Sequence, residues 1–222
     1  MDALVGPVVY ARGKRIYFVL EGSGTNDAFG GTQWRANGAA DAFLDAVRAW
    51  KAVADLDIRA WFANWTAGDE RSPFDPITWV EKLSWTDDSP ELGYHDGPGV
   101  HNQEGGFNNQ HPVFTRENNA VGGYSFVTFV HEIGHAIGLV HPHDGDVFPG
   151  VSSAFDSGDF GLNQSIFTIM SYLDGYDQKG FSPSLAYGWQ ATPGAFDIAA
   201  VQAVYGANMS TNTGDDVYVI PA

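Results

Sequence analysis

The chain has 222 residues, of which 44% are hydrophobic and 14% aromatic, so it can bury the core of a single domain and is not a disordered chain. Its 11 Lys and Arg against 27 Asp and Glu give a net charge of −16, which excludes nucleic acid and anionic membrane surfaces as favourable partners. The absence of Cys excludes disulfides and thiolate metal sites, and no apolar run is long enough to cross a bilayer.

The N-terminal part of the chain predicts one strand and one helix. Residues Met1–Val9 show no clear pattern and are interpreted as a flexible arm. Arg15–Glu21 is dense in aromatic and branched residues and predicts a first strand. A helix is expected from about Gly38 to Ala54, with Asn37 as its N-cap. Its predicted buried face consists of Phe43, Val47, Trp50 and Ala54.

The middle of the chain predicts further strands and long loops. Asp57–Ala63 and Ile77–Trp85 have the composition of a second and a third strand. Residues 86–119 are rich in Pro, Gly, Asn and Asp and predict loops. Short strands are expected there near Leu92–His95 and His111–Thr115.

A second helix is predicted from Gly123 to Leu139. At about 100° per residue, one stripe faces the core and contains Phe126, Val130, Ile133 and Ile137. His131 and His135 fall on the opposite side, and Gly138 can end the helix.

The last helix has capping signals at both ends. Thr192 is its predicted N-cap, Pro193 fits the first turn and Gly206 closes it. Its predicted buried face consists of Ile198, Val201 and Tyr205. The order of strands and helices predicts an α+β fold, with helices packed on one mixed sheet.

The segment HEIGHAIGLVH, which begins at His131, predicts a zinc site. Two histidines four residues apart lie on nearly one face of a helix, about 6 Å apart along its axis, and can share one zinc ion. Glu132 points to the side, where it can address water rather than the metal. Gly138 permits a turn that brings in His141 as a third ligand. The alternatives are histidines that only pack and a closed structural site, for which no Cys is available as fourth ligand.

These residues complete the pattern HExxHxxGxxH, and the chain resembles the metzincin family, for which that pattern is the fingerprint. Phe167–Tyr172 (FTIMSY) resembles the Met-turn of that family. Asp197–Gln202, Tyr205–Asn208 and Ala63–Trp65 resemble segments of the serralysin subfamily. The resemblance covers about residues 36–213.

The resemblance implies a metzincin-type zincin fold. This fold combines a mixed twisted sheet with an active-site helix, a Met-turn and a C-terminal helix, in two lobes around a cleft. Residues 1–222 would form a single catalytic domain, with an N-terminal lobe at about 10–140 and a C-terminal lobe at about 141–206. Residues 207–222 would begin a missing or truncated C-terminal region, where serralysins carry calcium-binding repeats.

The resemblance also assigns roles to individual residues. One catalytic zinc ion would be bound by three ligands, His131, His135 and His141. Glu132 would be the general base and then the proton donor to the leaving amine. Tyr172 would be a switchable fifth ligand that also stabilises the oxyanion, and Met170 would form a hydrophobic floor without ligating the metal.

Three further features concern substrate binding, the surroundings of the zinc site and calcium binding. Gly93, Tyr94 and His95 are expected to bind substrate if this segment is an edge strand, because a peptide can add to such an edge. His143, close to the third ligand, is interpreted as an exposed loop histidine, and the alternative is a residue that supports this ligand or faces the substrate. The acidic composition leaves calcium binding open, since calcium prefers oxygen ligands.

The predicted function is that of a secreted zinc endopeptidase that hydrolyses peptide bonds with a zinc-activated water. Protein or peptide substrates, a monomeric state and a proteinaceous inhibitor follow from the resemblance, as does secretion, although the first twenty residues lack a signal-peptide pattern. One alternative is a self-processing or single-partner protease of the same fold. Another is a non-catalytic zinc-bound binding module, although Glu132 and all three histidines are present.

Overall fold

The computed structural model describes residues 2–21, 33–63, 78–83, 90–99, 104–108, 110–175 and 184–215. Within them lie five strands: β1 (Arg15–Glu21), β2 (Asp57–Ala63), β3 (Thr78–Leu83), β4 (Gly93–His95) and β5 (Glu104–Phe107). The α-helices are α1 (Ala39–Val53), α2 (Arg116–Asn119), α3 (Tyr124–Ala136) and α4 (Ala195–Tyr205). Short 3-10 helices occupy Asp2–Leu4 and Gln33–Gly38. The predicted α+β class is confirmed.

The strands form one mixed sheet in the order β2-β1-β3-β5-β4. The first four strands in this order run parallel, and β4 pairs antiparallel with β5. The first two predicted strands have the observed bounds, and β4 lies within the predicted Leu92–His95 segment. Parts of two other predictions, Asn64–Trp65 and the ends of Ile77–Trp85, lie outside the described residues, as does 216–222.

The strand predicted at His111–Thr115 is wrong. This segment turns, because the amide of His111 donates to Asn108 and the amide of Phe114 donates to His111. The carbonyl of Val113 accepts from the side chains of Asn118 and Ser125 instead of from a strand.

Helix α1 lies one residue inside its predicted bounds, but its N-cap is not Asn37. The preceding 3-10 helix leads into Gly38, whose φ of 69° belongs to the left-handed region that glycine tolerates. The side-chain amide of Asn37 donates instead to the carbonyl of Phe114, at 3.1 Å. The predicted apolar face is buried at all four positions: Phe43, Val47, Trp50 and Ala54.

Helix α3 is held against α1 by an aromatic core. The indole nitrogen of Trp50 donates to the carbonyl of Val130 at 2.9 Å. Phe129 on α3 packs against Phe107 of β5, with 4.6 Å between ring centroids, and against Phe43. The predicted core stripe of this helix is buried throughout. Close packing from both sides therefore fixes the helix that carries the two histidines.

The N-terminal segment is not a flexible arm in its described part. Leu4 is fully buried, and its carbonyl accepts from the amide of Val140 at 3.0 Å. The amide of Gly6 donates to the carbonyl of Gly138 at 2.8 Å. The apolar side chain of Leu4 has a place in the core, which a reading of local pattern alone missed.

The last helix, α4, begins later than predicted. Gly194 precedes its first residue, so neither Thr192 nor Pro193 has the predicted role. The carboxylate of Asp197 caps this end by accepting from the amide of Gly194 at 2.7 Å. Gly206 closes the helix as predicted, and Val201 and Tyr205 are buried, whereas Ile198 is only half-buried. None of the helices in the described part of the chain is long and apolar enough to span a membrane.

Candidate metal centre

Three histidine side chains converge at the C-terminal end of α3. The Nε2 atom of His141 lies 3.2 Å from Nε2 of His131 and 3.1 Å from Nε2 of His135. A tetrahedral zinc site with Zn–N distances of about 2.0–2.1 Å separates its ligand nitrogens by roughly 3.3 Å. Two of the three separations thus match the spacing of ligands on a single zinc ion, and the three histidines form one cluster of possible ligand atoms within 4.8 Å of one another.

The backbone after α3 explains how the third histidine reaches the other two. The helix ends at Ala136, and Gly138 has a φ of 98°, which is strained for residues with a side chain. A Cβ atom on Gly138 would also lie 2.9 Å from a methyl group of Val9. Glycine at this position therefore allows the sharp turn that brings His141 back towards the helix.

Each of these imidazoles also has an acceptor for its other ring nitrogen. The Nδ1 atom of His131 lies 2.8 Å from the carbonyl of Ile169, and that of His135 lies 2.9 Å from the carbonyl of Leu139. The Nδ1 atom of His141 lies 2.6 Å from a carboxylate oxygen of Asp144. An N–H at Nδ1 that donates to these acceptors leaves the lone pair of Nε2 for a metal.

Burial keeps the three imidazoles neutral, the form that binds metals. Burial lowers the pKa of His131 to about 4, with a smaller contribution from His141. The pKa of His135 is lowered well below its ordinary value, again mainly by burial. Burial also lowers the pKa of His141, although Asp144 acts in the opposite direction. At neutral pH protonation therefore does not compete with a metal at these nitrogens.

Asp144 was not predicted as a site residue, and its contact with His141 leads to a test. Replacing Asp144 by Ala is expected to lower zinc affinity about 10- to 100-fold, because the carboxylate orients the imidazole and raises its basicity. Competition with a chromogenic zinc chelator measures the affinity. Asp146→Ala, which removes an exposed carboxylate in the same loop, is the control and should leave it unchanged. An unchanged zinc affinity for Asp144→Ala would show that the hydrogen bond between Asp144 and His141 does not contribute to zinc binding.

Glu132 lies beside the three histidines without joining their nitrogens. Its side chain is only 6% exposed. A Cβ atom on Gly93 of strand β4 would lie 2.9 Å from the Cγ and Oε1 atoms of Glu132, so the missing side chain makes room for the carboxylate. The fold thereby brings the predicted base against the predicted substrate-binding strand.

The side chains of the other two members of that predicted strand, Tyr94 and His95, have contacts with β5 and β1. The hydroxyl of Tyr94 donates to the carboxylate of Glu104 at 3.0 Å. The His95 ring lies 6.0 Å from the ring of Phe18. Among the described strands, β4 is the terminal one in the sheet order, with β5 as its neighbour.

Tyr172 lies on the solvent side of the histidines and is 47% exposed. Its ring centroid is 4.7 Å from that of His141 and 5.8 Å from that of His131. Partial burial raises the pKa of its phenol, and the negative charge of Glu132 adds to this effect. The phenol therefore remains protonated and can donate a hydrogen bond at neutral pH.

Met170 is fully buried against α3. A Cβ atom on Gly134 would lie 2.7 Å from its sulfur and 3.3 Å from Cζ2 of Trp50. The glycine between the two helical histidines thus leaves space for the methionine side chain against the helix.

Asp197 fixes the turn that contains Met170, a role that the sequence did not reveal. Its carboxylate accepts from the hydroxyl of Thr168 at 2.5 Å and from the amide of Ile169 at 2.6 Å, in addition to Gly194. Burial raises the pKa of Asp197 to about 6, against the effect of these three donors. Because the carbonyl of Ile169 accepts from His131, the carboxylate on α4 contributes to the position of that histidine.

His143 is not an exposed loop residue, which corrects the prediction. Its side chain is 15% exposed. Its ring stacks on that of His141, with 4.8 Å between centroids and 8° between planes, and lies 5.2 Å from the ring of Tyr172. The stacking could not be read from the sequence, because it depends on the turn after Gly138.

Comparison with known proteins agrees with this geometry. Residues 27–190 match the profile of one protein family, described as metallo-peptidase family M12B, reprolysin-like. The chain is 40% identical over 98 residues to serralysin of Proteus mirabilis, which covers 44% of this chain and 19% of that protein. It is 40% identical over 128 residues to serralysin B of Dickeya chrysanthemi, covering 54% of this chain and 24% of that protein.

A longer match is less similar. Metallopeptidase AprA of Pseudomonas marginalis is 28% identical over 173 residues, which is 76% of this chain and 36% of that protein. Across these three curated relatives, the chain spans between 19% and 36% of the relative's length.

Proposed function

The chain belongs to the reprolysin-like metallopeptidase family M12B, and on that basis we propose that it is a zinc-dependent endopeptidase. One observation carries the proposal: Nε2 of His141 lies at zinc spacing from Nε2 of both other histidines, while each Nδ1 atom lies against an acceptor. Among the described residues, no fourth His, Asp or Glu joins this cluster of possible ligand atoms. A site with three protein ligands favours catalysis over a purely structural role.

The proposed zinc ligands are His131, His135 and His141. Zinc bound there would lower the pKa of a coordinated water to about 7 and polarise the scissile carbonyl. We propose that Glu132 accepts the proton of the attacking water and then donates it to the leaving amine. Its place beside the histidines and against Gly93 supports this role.

The proposed role of Tyr172 is to donate a hydrogen bond to the oxygen on which negative charge develops. Its protonated phenol and its contact with His141 support this assignment. In the resting protein the phenol oxygen of Tyr172 would be a replaceable fifth ligand of the zinc ion. Met170 would form the hydrophobic floor of the site, and Phe167–Tyr172 would be the Met-turn.

Substrate is proposed to bind along β4, with the backbone of Gly93, Tyr94 and His95 pairing to an extended peptide. The terminal position of β4 in the sheet and the proximity of Gly93 to Glu132 support this orientation. The cleft would then separate an N-terminal lobe of about residues 10–140 from a C-terminal lobe of about 141–206, within a single catalytic domain.

The resemblance to serralysins extends the proposal to the cellular context. We propose a secreted, monomeric enzyme that acts on protein or peptide substrates and is open to a proteinaceous inhibitor. Calcium binding stays a prediction from the acidic composition and the resemblance.

The test of the proposed function is casein hydrolysis by the purified chain. Cleavage is expected, and a zinc chelator should stop it because the ligands then lack their ion. Added zinc should restore activity, whereas added calcium, as the control, should not. Zinc binding without cleavage of casein would contradict a general endopeptidase. Intact-mass measurement of the stored protein would then separate a self-processing protease, which loses mass, from a non-catalytic binding module, which does not.

A further inference from the structure

A cavity of about 450 Å³ opens directly beside the candidate metal centre. Its lining includes His131 and Glu132 from α3, and Ile169, Ser171, Tyr172 and Asp174. Its volume lies in the range of small-molecule and side-chain pockets. A peptide whose scissile carbonyl lies at His131 and Glu132 would place a neighbouring side chain in this cavity.

Helix α3 lines the cavity along about two of its turns. Tyr124, Val127 and Thr128 line it in addition to His131. Tyr124 lies about two helical turns, roughly 10 Å, from His131 along the axis. Tyr124 and Asp174 line the same cavity. Burial raises the pKa of Tyr124, and the negative charge of Asp174 adds to this effect. A substrate side chain that enters the cavity beside His131 and Glu132 can therefore meet Asp174.

The carboxylate of Asp174 has no hydrogen bond or ion pair with the described residues, although it is half-buried. A partly buried carboxylate that lacks a partner among the described residues is free to bind a cation, which would recover part of the cost of its burial.

The remaining lining suits a cationic side chain with an apolar stem. Leu92, Val127 and Ile169 supply apolar surface in the lining of the cavity. The charged residues in the described lining are Glu91, Glu132 and Asp174, all acidic. Lys and Arg bury their methylene groups against such surface while the charged end reaches a polar partner. An acidic substrate side chain would be repelled.

We propose that Asp174 selects a Lys or Arg side chain of the substrate, on one side of the scissile bond. This inference rests on the proposed endopeptidase function, and it names the substrate class that this function would favour. Asp174 acts in specificity and not in the chemical step.

The experiment compares internally quenched peptides that differ at one residue. Each pair carries Lys or the neutral, similarly sized norleucine on one side of the scissile bond, and one pair is made for each side. For wild type, kcat/KM should favour Lys about 10- to 100-fold at one of the two positions, the range of a charge-assisted hydrogen bond. Asp174→Asn should bring this ratio close to one. Asp55→Asn, which removes an exposed carboxylate outside the cavity, should keep the wild-type ratio.

A binding measurement makes the result independent of turnover. The same peptides, labelled with fluorescein, are titrated with zinc-loaded Glu132→Gln protein, and Lys should again bind at least tenfold more tightly than norleucine. Asp174→Ser in this background provides a second variant if Asp174→Asn does not fold.

The two hypotheses fail differently. Cleavage with equal kcat/KM for Lys and norleucine at both positions would overturn the role of Asp174 and leave the endopeptidase intact. If no peptide is cleaved, the endopeptidase is overturned, and the binding ratio decides the specificity: tenfold tighter binding of Lys supports it, and equal binding overturns it.

Discussion

Replacing Glu132 by Gln is expected to lower kcat/KM for peptide cleavage about 10²- to 10⁴-fold, the usual contribution of a general base. Gln has nearly the same shape as Glu but cannot accept the proton of the attacking water. The buried position of the side chain against Gly93 should be retained, because the substitution adds no volume. Zinc content should remain one ion per chain, since Glu132 is not part of the converging histidine cluster.

The experiment measures zinc by elemental analysis and cleavage with one quenched peptide in parallel. Glu117→Gln, on an exposed residue of α2, is the matched control and should retain wild-type values. A Glu132→Gln protein that keeps its zinc and more than a tenth of its activity would refute the assigned base. Loss of zinc together with activity would show instead that the side chain supports the metal.

Replacing Asp197 by Ala is expected to lower the free energy of unfolding by about 3–5 kcal/mol. The substitution removes the acceptor for three donors, the amides of Ile169 and Gly194 and the hydroxyl of Thr168. Leaving one buried donor unsatisfied costs about 1–3 kcal/mol. Water that enters the space of the removed carboxylate can accept from some of the three donors, which reduces the total cost. Such a loss is a large fraction of the roughly 5–15 kcal/mol by which domains are stable.

Urea unfolding of the metal-free protein measures this change. Asp197→Asn keeps one acceptor oxygen and should lose less stability than Asp197→Ala. Asp55→Ala, on an exposed residue, should stay within about 0.5 kcal/mol of wild type. A loss below 1 kcal/mol for Asp197→Ala would mean that the turn around Met170 is held by other contacts.

Local composition was sufficient to predict the strands and helices whose conformation depends mainly on their own residues. The runs RIYFVLE and DIRAWFA gave strands β1 and β2 with the observed bounds, because aromatic and branched residues favour a pleated, buried position. The helical period of α3 likewise identified its core-facing stripe and placed His131 and His135 one turn apart.

Strand β5 could not be predicted in this way. Its sequence EGGF contains two glycines, which weaken strands. The ring of Tyr94 occupies the space that a side chain on Gly106 would need, and β3 pairs with the other edge of β5. This strand is therefore specified by its neighbours in the sheet, which are distant in sequence.

The residues that support the metal centre were missed for the same reason. Asp144, Asp197 and His143 are ordinary loop or helix residues in the sequence. They acquire their contacts only when the turn after Gly138 and the start of α4 meet the histidines. The one local signal that could have identified Asp144 is its position three residues after His141, a proposed zinc ligand.

The end of α3 has a consequence for the order of events during synthesis. Backbone groups just after this helix make three hydrogen bonds with residues distant in sequence. The hydroxyl of Tyr205 donates to the carbonyl of Ile137. The amide of Gly6 donates to the carbonyl of Gly138, and the amide of Val140 donates to the carbonyl of Leu4. The ribosome makes Leu4 early and Tyr205 late. A nascent chain that has exposed all three histidines but not yet α4 lacks the hydrogen bond from Tyr205. We therefore expect the metal to bind after translation of the domain and not during it.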